Sequence, residues 1–212
     1  MEIPSPLCSS RFWMLANAAE VGILPTMVRP LSELAEELEI LHHDPAVVVV
    51  NKPSGMLTHR GWDRDPVVAM TLARDHVGKQ VFPVHRLDRP TSGTLVFALT
   101  QAAARVLAEA FANRQIAKRY VAFVRGVPPE SGVIDHPVPK RPKGERVPAI
   151  TDYRRLANVG RYSLVEARPR TGRLHQIRRH LRHLGHPLIG DVNHGVGKEN
   201  RKFRQEHDLH RL

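Results

Sequence analysis

In a chain of 212 residues, 32 Lys and Arg stand against 21 Asp and Glu, a net charge of +11 with 13 histidines in reserve. That surplus points to a polyanionic partner, nucleic acid before an anionic membrane, and a 42% hydrophobic content argues against disorder despite 17 prolines. The single cysteine, Cys8, excludes an internal disulfide and a cysteine-built metal site. No apolar run approaches the roughly 20 residues that span a bilayer, and the N-terminus does not read as a signal peptide, so a soluble protein of the reduced cytoplasm is expected.

Residues 1–37 stand apart, with Pro4, Pro6, Pro25 and Pro30 and a helix start at Ser32 followed by acidic residues. We read them as an appended arm, with Met27 a second candidate initiator, and place one domain at 38–212. Ala46 to Val50 is a β-branched run and reads as a buried strand. Asn51-Lys52-Pro53-Ser54-Gly55 then supplies turn chemistry. A helix is expected over 66–77, with Gly78 past its end. A second is expected over 101–114, where Ala103, Val106, Leu107, Ala110 and Phe111 follow a 3.6-residue period. Tyr120 to Val124 is a strand closed by Arg125-Gly126. The proline- and base-rich stretch Pro128 to Pro148 reads as a loop, either solvated or touching phosphates through Lys140, Arg141, Lys143 and Arg146. Strands return at Ile150 to Leu156 and Tyr162 to Ala167, and a last helix is expected from about Leu174 to Leu184.

The run His85-Arg86-Leu87-Asp88-Arg89-Pro90-Thr91-Ser92-Gly93 carries the chemistry. One carboxylate sits among arginines in a turn that Pro90 stiffens and Gly93 releases into the apolar run Thr94 to Leu99. Neighbouring cations favour its ionised form, which suits work on an anionic substrate such as RNA. On the last helix, Leu174, Ile177, Leu181 and Leu184 form an apolar stripe, with Arg178 beside its edge and His175, Arg179 and Arg182 pointing further out. A buried guanidinium needs an acid. Asp88 is one candidate partner, and a snorkelling Arg178 is the other reading. The histidines at 175, 180, 183 and 186 match no zinc-helix spacing, so no metal is expected. Tyr120 follows the basic pair Lys118-Arg119 and is either a core aromatic or a platform for a base.

These segments together resemble the RluA-type pseudouridine synthases. The resemblance rests on Val84 to Gly93, on Asn51 to Gly55, on Lys118 to Gly126, and on Thr171-Gly172-Arg173-Leu174-His175-Gln176-Ile177-Arg178 with His186-Pro187-Leu188-Ile189-Gly190-Asp191, in the family's order. His59 to Asp65 and Arg178-Arg179-His180-Leu181 are most similar to the branch that acts on transfer RNA. The resemblance implies an α+β fold: a mixed, mainly antiparallel central sheet flanked by helices, with the site in a basic cleft. It implies isomerisation of a uridine in RNA, with tRNA of the uridine 65 type in the T-stem region as the leading substrate and ribosomal RNA or non-catalytic RNA binding as the alternatives. No cofactor, metal or membrane is implied, and a monomer is the default. Asp88 would be the catalytic carboxylate, whether it attacks the sugar, attacks the base or removes a proton. Tyr120 would stack on the base, Arg178 would pair with Asp88, and Arg86 would fill the gap left by the flipped nucleotide. Arg89, Lys118, Arg173 and His175 would contact RNA. The chain stops at His207 to Leu212, where family members continue into a further strand, so a truncated C-terminal part is expected. A glycoside hydrolase is disfavoured, because it needs two carboxylates flanking the bond.

Overall fold

The computed structural model describes residues 38–60, 65, 67–141, 144–198, 200, 201 and 203. The arm at 1–37 with its Ser32 helix start, Pro66, Lys143 and the C-terminal His207 to Leu212 lie outside the described residues.

The chain alternates β-branched runs with turn residues, and the structure follows that punctuation. Strands β1 (Glu39–His43), β2 (Val47–Lys52), β3 (Phe82–Pro83) and β4 (Gly93–Ala98) form a first sheet in the order β1-β2-β4-β3. Helix α1 (Ala69–Val77) and helix α2 (Gln101–Ala112) belong to this half. The second half holds β5 (Tyr120–Arg125), β6 (Ser131–Asp135), the short ribbon β7 (Val138–Pro139) with β8 (Arg146–Val147), β9 (Ile150–Val159), β10 (Tyr162–Pro169) and helix α3 (Gln176–His183). Its sheet runs β5-β10-β9-β6. The α+β expectation holds, and every named strand pair is antiparallel.

Each sheet carries its own apolar cluster. Val48, Val50, Leu95 and Phe97 pack with Ala69 and Ala73 of α1 in the first, while Ala122, Val124, Val165 and Leu181 of α3 form the second. A fully buried side chain of this size contributes about 1.5–3 kcal/mol, so these clusters fix where each sheet lies under its helix. Tyr120, the first residue of the second sheet, packs on the first cluster and joins the halves.

Three sequence expectations need correction. The stretch 128–148 is not all loop: β6 pairs with β9, and β7 pairs with β8. Val106 is not on the buried side of α2 but 65% exposed, because that helix packs through a narrower stripe than the period suggested. Arg179 does not point to solvent; its Nη1 donates to the carbonyls of Pro139 and Leu174 at 2.9 and 3.0 Å.

Candidate active site

Asp88 lies in the loop between β3 and β4, and the turn after β2 holds that loop almost entirely through backbone. Ser54 Oγ donates to the Pro90 carbonyl (2.8 Å), and the Gly55 amide donates to the Arg89 carbonyl (2.8 Å). Arg89 Nε returns a bond to the Gly55 carbonyl (3.0 Å). Thr58 Oγ1 accepts from the Leu87 amide (3.2 Å) and donates to the Leu87 carbonyl (3.1 Å). The centre of the clamp is Lys52. Strand alternation puts it on the same buried face as Val48 and Val50, and its cross-strand neighbour is Gly93, which brings no side chain. Its Nζ donates to the carbonyls of Pro53, Met56 and Arg89 at 2.9, 2.8 and 3.3 Å. Burial pulls the Lys52 pKa down to about 8, with the Asp88 charge pulling the other way.

His85 holds the other end of the loop. β3 pairs with β4 only at Phe82 and Pro83, and the next exposed amide, that of Val96, donates to His85 Nε2 at 3.0 Å. The ring stacks on Phe111 with centroids 4.7 Å apart. Burial, and then the charge of Lys118, push the His85 pKa down to about 4, so the imidazole is neutral and free to accept.

The partner of Asp88 comes from 90 residues away. Arg178 Nη1 donates to Asp88 Oδ2 at 2.9 Å. The ion-pair reading of Arg178 is therefore correct, and the snorkelling alternative is not. Its planar fork is spent elsewhere: Nε and Nη2 take the two oxygens of Asp191 at 2.7 and 2.8 Å. Asp191 is fully buried and also accepts the amides of Asn193 and His194, both at 2.9 Å. Burial opposes ionisation of Asp191, but Arg178 and those amides outweigh it and hold the carboxyl below its usual range. Burial likewise works against the Arg178 charge, and Asp191 and Asp88 together more than restore it. Asp191 is thus the anchor that aims Arg178 at Asp88. Sequence reasoning quoted this residue only as part of a motif.

A cleft of about 480 Å³ opens over Asp88, walled by Ser54, Gly55, Arg86, Arg89, His175 and Arg178. Arg86 is exposed at its rim. Arg89 is committed to Asp65 (2.9 Å) as well as to Gly55, so the sequence neighbour of Asp88 shapes the loop while Arg178 supplies the guanidinium at its carboxylate. His175 sits in the left-handed region (φ 52°) at the start of α3, its Nε2 3.6 Å from Asp88 Oδ2 and its Nδ1 3.1 Å from His194 Nε2. Burial leads in lowering the His175 pKa. Tyr120 is half-buried; burial first, and the Asp88 charge second, raise its phenol pKa. Arg173 is exposed and turns away from Asp88 to the Pro148 carbonyl at 3.4 Å. Lys118 lines a second cleft beyond Gly172.

The other helix histidines scatter. His180 is fully buried between Thr151 Oγ1 and the His136 carbonyl, both at 2.9 Å, and His183 stacks on His136 with centroids 3.6 Å apart. No helix among the described residues is long and apolar enough to cross a membrane.

A carboxylate oriented by a buried arginine, beside a tyrosine and in a cationic cleft, is suited to breaking and remaking a glycosidic bond within RNA. Residues 46–183 match the family described as RNA pseudouridylate synthase, and the chain belongs to that family of isomerases, which turn uridine into pseudouridine. Curated relatives sharpen the position within it. The tRNA pseudouridine synthase C of Vibrio parahaemolyticus is 44% identical, over 83% of this chain and 81% of its own length. That of Salmonella typhimurium is 46% identical, over 82% of this chain and 76% of its own. Among solved structures, human RNA pseudouridylate synthase domain containing 4 shares 30% identity and a TM-score of 0.66, covering 88% of this chain and 75% of that one. Human RNA pseudouridylate synthase domain containing 1 gives 27% and 0.69, covering 79% and 74%.

Proposed function

We propose that this chain converts one specific uridine of tRNA, of the uridine 65 type in the T-stem region, to pseudouridine. Residues 38–212 act as the catalytic domain, with 1–37 as an arm, in the cytoplasm and as a monomer without cofactor or metal. The observation that carries the proposal is the Asp88–Arg178–Asp191 arrangement at the floor of the cationic cleft. The choice of tRNA is supported by relatives named tRNA pseudouridine synthase C at 41–46% identity.

The net reaction is balanced within the nucleotide. The bond from N1 to C1′ breaks, the freed uracil turns, C5 bonds to C1′, the C5 proton leaves and N1 gains one. Asp88 acts on the sugar or the base as an anion, and Arg178 holds that anion in one orientation. Tyr120 gives the base a face to stack on. Arg86, at the rim, occupies the space the flipped nucleotide vacates, which offsets an unstacking cost of a few kcal/mol. Arg89 and His175 meet the RNA backbone on the cleft's walls, and Arg173 and Lys118 meet it outside that cleft.

The test is to incubate the protein with tRNA and, separately, ribosomal RNA, and to map pseudouridine chemically. Pseudouridine in the tRNA T-stem is expected, with Asp88→Asn abolishing it while RNA affinity is retained. Modification of ribosomal RNA alone would move the substrate, and binding without any turnover would leave an RNA-binding protein. An active Asp88→Asn enzyme would overturn the assignment.

A further inference from the structure

Behind the segment that carries His175 lies a second cleft of about 310 Å³, lined by Arg114, Lys118, Asp152, Arg168 and Arg170. Its charges do not balance. Arg170 takes Asp152 through two bonds of 2.7 and 2.5 Å, and Arg168 takes the buried Glu166 at 2.9 Å. Arg170 is thus matched, while Arg168 shares Glu166 with Arg119 and Arg154. The side chains of Arg114 and Lys118 form no hydrogen bond or ion pair with any other described residue. Lys118 is half-buried, and burial followed by the neighbouring Arg114 lowers its pKa. An exposed Arg114 and a half-buried Lys118 thus bring two like charges to one cleft whose lining carboxylate, Asp152, is taken by Arg170, an arrangement that an incoming anion relieves.

The backbone adds an independent observation. Helix α2 ends in a Schellman motif: the Arg114 amide bonds the Phe111 carbonyl at 3.3 Å, and the Gln115 amide bonds that of Ala110 at 2.9 Å. Arg114 occupies the left-handed position of that motif, φ 59°, where glycine is the usual residue. An arginine there costs about 1 kcal/mol or more, and the residue lines the cleft.

The cleft is close to the reacting centre. A Cβ built on Gly172 would lie 3.5 Å from Lys118 Nζ, and three residues later His175 reaches within 3.6 Å of Asp88. Three extended residues span at most about 10 Å.

We propose that this cleft is a phosphodiester subsite, in which Arg114 and Lys118 hold a backbone phosphate of an RNA whose target uridine sits at Asp88. The assignment rests on the RNA-modifying reading above and adds a contact point to it. The strain at Arg114 then has a purpose, since glycine would end the helix more stably but leave the phosphate unmet.

The experiment measures tRNA affinity over a series of KCl concentrations for wild type, Arg114→Gly, Lys118→Gln and the double variant. Each single variant is expected to flatten the slope of log K against log[KCl] by about 0.7–0.9, the signature of one lost phosphate contact, and the double by no more than the sum. Arg114→Gly is also expected to raise the thermal midpoint by about 2–4 °C, so its weaker binding cannot come from unfolding. Inorganic phosphate, added at the ionic strength of the chloride buffer, is expected to compete no better than chloride. Stronger competition would make this a free-anion site and overturn the RNA assignment, as would unchanged slopes in both single variants. Wild-type pseudouridine formation, assayed alongside, separates the two readings. An active wild type with unaltered slopes in the variants removes the subsite alone. A wild type that binds without turnover removes the proposed reaction and leaves the slopes to decide the subsite, and a wild type that binds no RNA removes both.

Discussion

Asp191 and Asp88 share one arginine but divide its roles, and Asp191→Asn separates them. The wild-type carboxylate is fully buried, takes both ends of the Arg178 fork and accepts two backbone amides. In the variant one oxygen still serves the two amides, and the other becomes an NH₂ facing Arg178 Nε, donor against donor across 2.7 Å. Losing one side of a buried pair costs about 3–5 kcal/mol; with three of the four hydrogen bonds retained, we expect about 3 kcal/mol. Asp88 is 22% exposed and receives a single bond from Arg178, so Asp88→Asn is expected to cost no more than about 1 kcal/mol. Urea unfolding of wild type and both variants measures this, with unchanged m-values required. The pH profile supplies a second reading. The folded pKa of Asp191 is depressed, so its contribution is complete above the unfolded carboxyl value of about 3.9 and is lost as pH falls through the folded one. Asp191→Asn should lack that acid-dependent part. The partition would be refuted if Asp191→Asn matched wild type in stability, or if Asp88→Asn proved the more destabilising of the two.

The remaining expectations concern the clamp around the Asp88 loop. Lys52, with its pKa lowered to about 8 against about 10.4 when unfolded, gives up its proton more easily folded than unfolded, so stability should rise between about pH 8 and 10. Urea midpoints across that window should climb in wild type and stay level in Lys52→Met; a parallel climb in the variant would contradict the buried ammonium. His85, held near 4, should remain neutral at pH 6.5, and its ring resonances by NMR should show no titration between pH 5.5 and 8. As the unfolded imidazole titrates near 6.5, its contribution to stability declines as pH falls from there toward 4. Gly126 combines φ 79° with the His186 ring 2.8 Å from where a Cβ would stand, so Gly126→Ala should cost about 2 kcal/mol or more in thermal or urea unfolding.

Much of this architecture is written in local pattern. Apolar runs located β2 and β5, the residues of β4 read only as an apolar run, and the apolar stripe of α3 was enough to put Arg178 beside buried surface. Arg178 then needed an acid, and Asp88 was the conspicuous one. What escaped depends on packing between distant segments. Asp191 sits in a turn 13 residues past Arg178, with no periodicity to mark it as buried. Lys52 was legible in principle, since positions 48, 50 and 52 share one strand face, but a lysine at a strand end reads by default as solvated. The prolines and basic residues flanking 131–135 disguised β6, a five-residue edge strand paired on one side. The family resemblance named the segments and left the geometry among them to the structure.

The 90-residue separation of Asp88 and Arg178 has a consequence for the life of the chain. Each half builds its own sheet and cluster from strands within that half, whereas the ion pair forms only when the halves meet, and contacts of long sequence separation close late. A chain still emerging from the ribosome therefore carries Asp88 long before Arg178 and Asp191 exist to aim it. Its early cationic surface can already attract RNA, but the carboxylate has no partner to orient it. If Asp88 works as proposed, a chain whose halves have not met is expected to bind RNA without turning it over.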